Sequence, residues 1–348
     1  MIYIRLDANA KVATGHLYRC LSIASQCRKK GKKCCFLLST NDYQTVVEAA
    51  GFCCEVLELK WDDWDAGSEI LKNYLLEHDA ECLLVDSYYV TKHFFESIHP
   101  IVPLIYLDDL CKETYDVDAV IHYSEWDSDH FLDSLYQGMN VKTFAGMKYM
   151  PLRDLFQSIE ETPKQYDLLI TTGGTDPFHV SLKLLEEILS KKTFDEFSIC
   201  VILGRFNEDE ELIRELIIKH NAKSPKTKIT VLKNINNMKE IMCASKFAVS
   251  SGGTTVYELM ACGVPFVCFG FSDDQVLFGE RLGQHGNAFW GGDIRNNSCF
   301  TLDLLNSVEK LISLPAHEIK QLKEKNQNIV DGKGAARIAD ILISLEKK

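Results

Sequence analysis

Short runs of β-branched and other apolar residues alternate along the whole chain with stretches whose apolar positions recur at helical spacing. That alternation is the mark of α/β units built on parallel sheets. In the first half it predicts strands at Ile2–Leu6, Cys34–Leu38, Cys54–Leu59, Cys82–Asp86, Pro103–Leu107 and Ala119–His122. Helices are predicted over Gly15–Lys30, Thr45–Ala50 and Glu69–Glu77 and after Thr91. From Met147 to Gln165 the pattern breaks, with Pro151, Pro163 and mixed charge. A second alternation follows: strands at Leu168–Thr171, Ser198–Leu203, Lys228–Leu232, Phe247–Ser250 and Pro265–Phe269. Its helices run over Phe178–Leu189, Glu208–His220, Met238–Ala244 and Thr254–Cys262, with another from Asp273. Two consecutive doubly wound, Rossmann-like domains account for this, one over 1–150 and one over 165–348, with a last helix able to pack back on the first. Open sheets of this kind bind ligands outside the carboxyl ends of their strands, so two of them facing across a cleft share a binding groove.

Three strand-to-helix junctions carry the candidate chemistry. After Arg5-Leu6-Asp7, the run Thr14-Gly15-His16-Leu17-Tyr18-Arg19 opens a helix. Glycine there admits close approach of backbone N–H groups to a ligand, and the positive helix end favours a neutral His16 imidazole able to take a proton. The plainer reading is that His16 satisfies backbone groups at a helix start. Asp7 either positions His16 or a ligand, or caps the strand end. The second junction, Thr172-Gly173-Gly174-Thr175-Asp176-Pro177, has a phosphate-cradling pattern with Pro177 suited to a first helical turn. The third is Ser250-Ser251-Gly252-Gly253-Thr254-Thr255-Val256-Tyr257-Glu258, where backbone N–H groups and hydroxyls suit a diphosphate. Glu258, one turn in, suits ribose hydroxyls or serves as a capping-type carboxylate. Ser272-Asp273-Asp274-Gln275 begins a further helix with polar side chains.

Composition narrows the choice. The chain has 348 residues, 46% hydrophobic and 25% charged, as expected of two folded domains. Its 38 basic and 50 acidic residues give a formal charge of −12, which argues against a nucleic-acid partner. The 13 cysteines lack metal or redox spacing and read as reduced core residues of a cytoplasmic protein. No signal-peptide layout and no membrane-length apolar run is present in the sequence. The basic run Arg28, Lys29, Lys30, Lys32, Lys33 reads as a solvated helix end, with a membrane-facing patch as the alternative.

The stretch from about Asn234 to Gln275, including S-G-G-T-T-V-Y-E, A-C-G-V-P and D-D-Q, resembles the glycosyltransferase family 28 C-terminal domain of GT-B enzymes. R-L-D, T-G-H-L-Y-R, V-D-S-Y-Y, Y-L-D-D, G-M-K-Y-M-P-L-R and T-G-G-T-D are similar to a narrower family. These are the UDP-2,4-diacetamido-2,4,6-trideoxy-β-L-altropyranose hydrolases of pseudaminic acid biosynthesis and the related spore-coat polysaccharide proteins. The resemblance implies a GT-B fold and a UDP-sugar substrate, with no cofactor and no metal. It makes His16 the base that activates water at the anomeric carbon, with loss of UDP and inversion. It sets Gly15 near the sugar phosphate and Gly173, Gly174 and Thr175 on the phosphate side. The Ile235 backbone would meet uracil, Ser251, Gly252, Gly253, Thr254 and Thr255 the phosphates, Glu258 the ribose, and Asp274 and Gln275 the sugar side. Arg5, Asp7 and Tyr88 are expected at the substrate as well. The chain departs from that family at Ala13, where glycine is usual, and at Asp86-Ser87-Tyr88-Tyr89, where Asp-His-Tyr-Gly is usual.

Three functions follow as expectations: a UDP-sugar hydrolase, a GT-B glycosyltransferase using the same donor, and a non-catalytic nucleotide-sugar-binding protein. Asp108–Asp109 and Tyr88–Tyr89 are further candidates to line the site. His122, His130, His179 and His285 have no recognisable partners in the sequence and read as surface or packing residues.

Overall fold

The computed structural model describes residues 1–8, 15–57, 59–124, 130–223, 226–235 and 237–345. The chain divides into two compact units, 1–157 with 331–348, and 158–330. Among the described residues no helix is long and apolar enough to cross a membrane.

The N-terminal unit runs β1 (Ile2–Leu6), α1 (Gly15–Lys29), β2 (Cys34–Leu38), α2 (Gln44–Ala49), β3 (Cys53–Val56), α3 (Ser68–Glu77) and β4 (Cys82–Asp86). It continues through α4 (Lys92–Ile98), β5 (Leu104–Leu107), β6 (Ala119–His122), α5 (Phe131–Leu135) and β7 (Lys142–Ala145). Its seven strands are parallel and ordered β3-β2-β1-β4-β5-β6-β7. Helices cover both faces, so β1, β2 and β4 are buried along their whole length and lack a polar alternation. Side chains of β1 divide by the pleat: Ile2, Ile4 and Leu6 pack with Leu17, Cys20 and Ile23 of α1, while Tyr3 joins the opposite cluster with Leu71, Phe94 and Phe95.

The C-terminal unit runs β8 (Tyr166–Thr171), α6 (Val180–Leu189), β9 (Ser198–Leu203), α7 (Glu210–Lys223), β10 (Lys228–Lys233), α8 (Met238–Cys243) and β11 (Ser245–Ser251). Then come α9 (Thr255–Ala261), β12 (Phe266–Gly270), α10 (Asp273–Gln284), β13 (Phe289–Asp293), α11 (Phe300–Ile312) and α12 (Ala316–Ile329). The sheet is again parallel, in the order β10-β9-β8-β11-β12-β13. In both sheets the winding reverses at one place, between β1 and β4 and between β8 and β11. Those two crevices are where a doubly wound sheet receives a ligand.

Several boundaries differ from the sequence reading. Helix α6 begins at Val180, not Phe178, because Asp176 stands at φ 55° and its carboxylate caps the N–H groups of Val180 and Ser181 at 2.8 and 2.9 Å. Pro177 therefore lies in the preceding turn and outside the helix. Strand β7 and helix α5 were not anticipated; each is only four or five residues long, too short for a period to register.

The final helix, α13 (Gly334–Ser344), belongs to the N-terminal unit and packs on α1, burying Ile338, Ile341 and Leu342 in the same cluster as β1. The chain reaches that seat through Gly332 and Gly334. A Cβ on Gly332 would lie 2.1 Å from the Phe156 carbonyl oxygen, and one on Gly334 2.1 Å from that of Met150. The basic run at the end of α1 stays on this unit: Lys29 pairs with Asp154 at 2.9 Å, Lys30 with Asp340 at 2.7 Å and Lys32 with Glu81 at 3.3 Å. Such surface pairs contribute about 0–1 kcal/mol each; the apolar seat does most of the holding. Gly334→Ala, which drives a methyl into backbone, is expected to destabilise the N-terminal unit by about 1–3 kcal/mol in urea unfolding. An unchanged midpoint would show that α13 is not seated this tightly.

Candidate functional site

At the reversal point of the N-terminal sheet, β1 delivers Asp7, the first turn of α1 delivers His16, and β4 ends in Asp86 and Ser87. The His16 ring is buried and its Nδ1 lies 2.6 Å from Asp86 Oδ1. Arg19, one turn further along α1, donates from Nε to Asp86 Oδ2 at 2.6 Å and from Nη2 to Oδ1. The Cys20 thiol reaches Asp86 Oδ2 at 3.3 Å. Arg19 Nη2 also stands 3.0 Å from His16 Nδ1. A guanidinium has no acceptor atom, and a 2.6 Å contact between Nδ1 and a carboxylate requires a proton on it. Both groups therefore donate to Asp86, which puts the hydrogen on Nδ1 and leaves the lone pair on Nε2. Burial alone would push the Asp86 carboxyl up, but the Arg19 charge and the hydrogen bonds from Arg19 and His16 hold it well below the usual carboxylate range. The ring is fixed from the side by Tyr88, edge-on with centroids 4.6 Å apart.

A second carboxylate extends the network. Arg19 Nη1 donates to Asp109 Oδ2 at 2.6 Å and to the Tyr123 hydroxyl, and the Tyr88 hydroxyl reaches the same Asp109 oxygen at 3.1 Å. Asp109 Oδ1 is buried with no hydrogen-bond partner. Asp108, its neighbour, accepts the N–H groups of Cys111 and Leu110 and turns the chain; His122 Nδ1 meets the Asp108 carbonyl oxygen at 2.7 Å. His122 is thus a packing residue with a partner the sequence did not reveal.

Asp7 accepts the Ser87 hydroxyl, and its Oδ1 is buried without a hydrogen bond, 3.7 Å from Arg5 Nη1. The alternative in which Asp7 orients His16 is corrected: Asp86 holds that position. Ser87 serves Asp7 and also accepts the Tyr89 N–H at 2.9 Å. Arg5, expected at the substrate, is fully buried, with its guanidinium 4.3 Å from the centre of the Trp64 ring and donating to the Leu6 carbonyl. Burial lowers its pKa to about 10. Gly15 presents open space where a side chain would stand. Ala13 and Thr14 lie outside the described residues.

In the C-terminal unit the loops after β8 and β11 meet at the reversal point. The Ser251 hydroxyl donates to the Thr172 carbonyl at 3.1 Å, and Gly173, at φ +94°, turns beneath it. Gly174 and Thr175 are exposed, and both Gly174 and Gly253 have open space at the Cβ position. Gly252 is held differently: a Cβ there would come 2.9 Å from the Gln275 carbonyl oxygen, so this loop packs directly on the start of α10. Thr254 and Asp274 are exposed, and Thr255, Glu258 and Gln275 half-buried. Gln275 Oε1 accepts the Phe271 N–H at 3.3 Å, so its carbonyl end is engaged in its own loop. Ile235 follows β10 just after Asn234, which stands at φ 50°. The unit thus gathers Gly173–Thr175 and Ser251–Gln275 at one crevice, with Ile235 on the more distant strand end. Among the described residues no three His, Cys, Asp or Glu side chains converge on a metal position.

Arg19, Asp86 and Tyr123 were not singled out as site residues from the sequence, whereas Asp109 was a candidate to line the site. The signal for two of them was present, since Asp86 ends a fully apolar strand and Arg19 sits at i+3 from His16, on the same helix face. Burial pushes the Asp7 carboxyl from its ordinary 3.8 up to about 6, against the opposing effects of Arg5 and Ser87. The folded protein therefore binds this proton more tightly than the unfolded chain. The associated stability is complete below the unfolded value and is lost as pH rises through about 6. Asp7→Asn removes that loss: its stability relative to the parent is expected to rise by about 3 kcal/mol between pH 4 and pH 8. Urea unfolding across that range checks it, and a constant difference would sink the assignment.

Residues 168–340 match the model of the glycosyltransferase family 28 C-terminal domain. An uncharacterized protein of Methanocaldococcus jannaschii is 28% identical over 278 residues, covering 76% of this chain and 54% of that protein. Spore coat polysaccharide biosynthesis protein SpsG of Bacillus subtilis is 23% identical over 216 residues, covering 61% of each. The match thus spans 54% and 61% of the length of these two relatives. Among solved structures, MurG of Acinetobacter baumannii superposes with a TM-score of 0.71 at 12% identity, covering 99% of both chains. HepE of Anabaena, solved in complex with UDP-glucose, gives 0.56 at 13% identity over 99% of both. The fold is GT-B, and its C-terminal half is similar to the glycosyltransferase family 28 C-terminal domain.

Proposed function

We propose that this chain hydrolyses a UDP-linked 2,4-diacetamido-2,4,6-trideoxyhexose, using His16 as the general base on water and releasing UDP with inversion at the anomeric carbon. The observation that carries the reading is the 2.6 Å contact between His16 Nδ1 and Asp86, which leaves Nε2 as the basic nitrogen. As Nε2 takes the proton, oxygen bonds to C1 and the C1–O bond to the diphosphate breaks. The buried Asp86 carboxylate stabilises the imidazolium formed, and Arg19 keeps that carboxylate in place. The C-terminal unit would take the nucleotide. The open glycines Gly174 and Gly253 let backbone N–H groups approach phosphate oxygens, with Thr175, Ser251, Thr254 and Thr255 supplying hydroxyls. Of these the Ser251 hydroxyl is already committed as donor to the Thr172 carbonyl, so Ser251 holds the loop and the threonines meet the phosphate. In this reading Glu258 accepts the ribose hydroxyls, the Ile235 backbone meets uracil, and Asp274 and Gln275 border the sugar. The UDP-glucose complex of the Anabaena neighbour supports the nucleotide assignment. Tyr88 and Asp7 stand beside the base, where they would meet the sugar.

A second reading is favoured by the family 28 domain match and by the polysaccharide role in the name of the Bacillus relative. There the same base deprotonates an acceptor hydroxyl, and the chain is a glycosyltransferase. Incubation with the UDP-sugar alone separates the two. Prompt release of UDP and free sugar supports hydrolysis, release only on adding an acceptor supports transfer, and absence of any UDP protection against thermal unfolding defeats both.

His16→Ala is expected to lower turnover by about 10²–10⁴-fold with UDP binding kept. Asp86→Asn is expected to cause a comparable loss, because an amide no longer fixes the hydrogen on Nδ1. A His16→Ala variant that retains full turnover would mark the pair as structural.

A further inference from the structure

Strands β2 and β3 run side by side at one edge of the N-terminal sheet, and β3 is the edge strand. Their register sets Cys35 opposite Cys53, and the two side chains meet on one face: the Cys35 thiol donates to the Cys53 sulfur at 3.0 Å. Cys35 is buried with Tyr3, Leu71 and Leu75, against α3, whereas Cys53 is exposed. A disulfide needs Cα atoms about 4.4–6.8 Å apart and sulfurs about 2.05 Å apart. Residues paired across neighbouring strands, about 4.8 Å apart, meet the first condition. The sulfurs have only about 1 Å left to close.

We propose that Cys35 and Cys53 are a site of reversible oxidative cross-linking by a small hydroperoxide, and that the disulfide fastens the edge strand β3 to β2.

The pair lies apart from the UDP-sugar chemistry. Cys53 opens β3 and Cys35 is the second residue of β2, so both stand toward the amino ends of parallel strands. Asp7 and Asp86 mark the opposite, carboxyl ends of β1 and β4. Oxidation at the pair is thus independent of the role of His16.

Access decides which sulfur reacts first. A dissolved peroxide meets Cys53 at the open sheet edge, while Cys35 is 1% exposed. Burial and the contact with Cys53 push the Cys35 thiol up, so it keeps its proton and serves as the resolving partner. An accessible sulfur poised next to a resolving one is the arrangement of redox-responsive sites. Cys299, also exposed, has the Ser298 hydroxyl 4.0 Å from its sulfur and no thiol against it among the described residues. The strand to be fastened is lightly held. It has four residues, pairs with β2, and follows α2, which fully buries Val47 alone. A cross-link would close the loop 36–52 and restrict the unfolded chain.

The reaction balances as two thiols plus hydrogen peroxide giving a disulfide and two waters. The Cys53 thiolate attacks one peroxide oxygen, forming S–O and breaking O–O; the departing hydroxide takes a proton and leaves as water. The Cys35 sulfur then bonds to that of Cys53, the S–O bond breaks, and the Cys35 proton goes with the departing oxygen as the second water. Both sulfurs are oxidised and both peroxide oxygens reduced.

The test uses the full chain, reduced and then treated at pH 7 with equimolar hydrogen peroxide. Remaining thiols are alkylated in urea before digestion and mass spectrometry, with fragment ions assigning each sulfur. The expected product is a cross-link between Cys35 and Cys53, two hydrogens lighter than the reduced pair and reversed by dithiothreitol. The cross-linked protein should unfold at a higher urea concentration than the reduced one. Cys53→Ser, a change at an exposed position, should abolish that shift and leave Cys35 unreacted. Cys35→Ala should leave a dimedone-reactive sulfenic acid on Cys53. Oxidation of Cys53 without joining Cys35, or an earlier cross-link between any other cysteines, overturns the proposal. So does a non-reducing gel in which Cys53 joins two chains, and an unchanged urea midpoint refutes the fastening of β3.

Discussion

One buried carboxylate organises the N-terminal unit. Asp86, with no exposed surface, collects His16, Nε and Nη2 of the Arg19 guanidinium and the Cys20 thiol. An isolated carboxylate there would be prohibitively costly; surrounded by donors, it is held ionised and immobile. All of those donors come from the first two turns of α1, so the helix cannot rotate about its axis without breaking several contacts at once. The imidazole inherits that rigidity. Its Nδ1 is committed to Asp86, and Nε2 is left as the nitrogen able to do acid–base work.

The C-terminal unit reaches its candidate site by a different physical route. Its glycine loops are positioned by backbone contact, not by charge. Ser251 bonds the Thr172 carbonyl, and Gly252 admits the Gln275 backbone where any side chain would collide. Three loops are thereby locked together at the sheet reversal, while Gly174 and Gly253 remain open. Helix α9 ends cleanly because Gly263, at φ +63°, turns its N–H back to the Met260 carbonyl and sends the chain into β12.

Most strands and long helices were legible in the sequence because their signals are local. A run such as Ile2–Leu6 has no polar alternation since both sheet faces are covered, and the helix from Gly15 buries Leu17, Cys20, Ile23, Ala24 and Cys27 at helical spacing. The glycine-bearing junctions were legible for the same reason: each follows directly on the strand that delivers it. Strand β7, with four residues at a sheet edge, offered no period to read. The start of α6 was misplaced because the capping Asp176 needs a left-handed turn that a proline three residues before the helix start conceals.

The chain's own pattern therefore determined the class of fold, the two windings, and the strand ends at which chemistry gathers. Partnership across the chain was decided only in three dimensions. His16 and Asp86 stand 70 residues apart and meet because the sheet order sets β1 against β4. Asp7, nearer in sequence, is instead taken by Ser87. The return of α13 through Gly332 and Gly334 has the same origin. Periodicity is written by neighbours within a turn or a pleat, whereas which carboxylate meets which cation depends on strand order, and no local pattern encodes that.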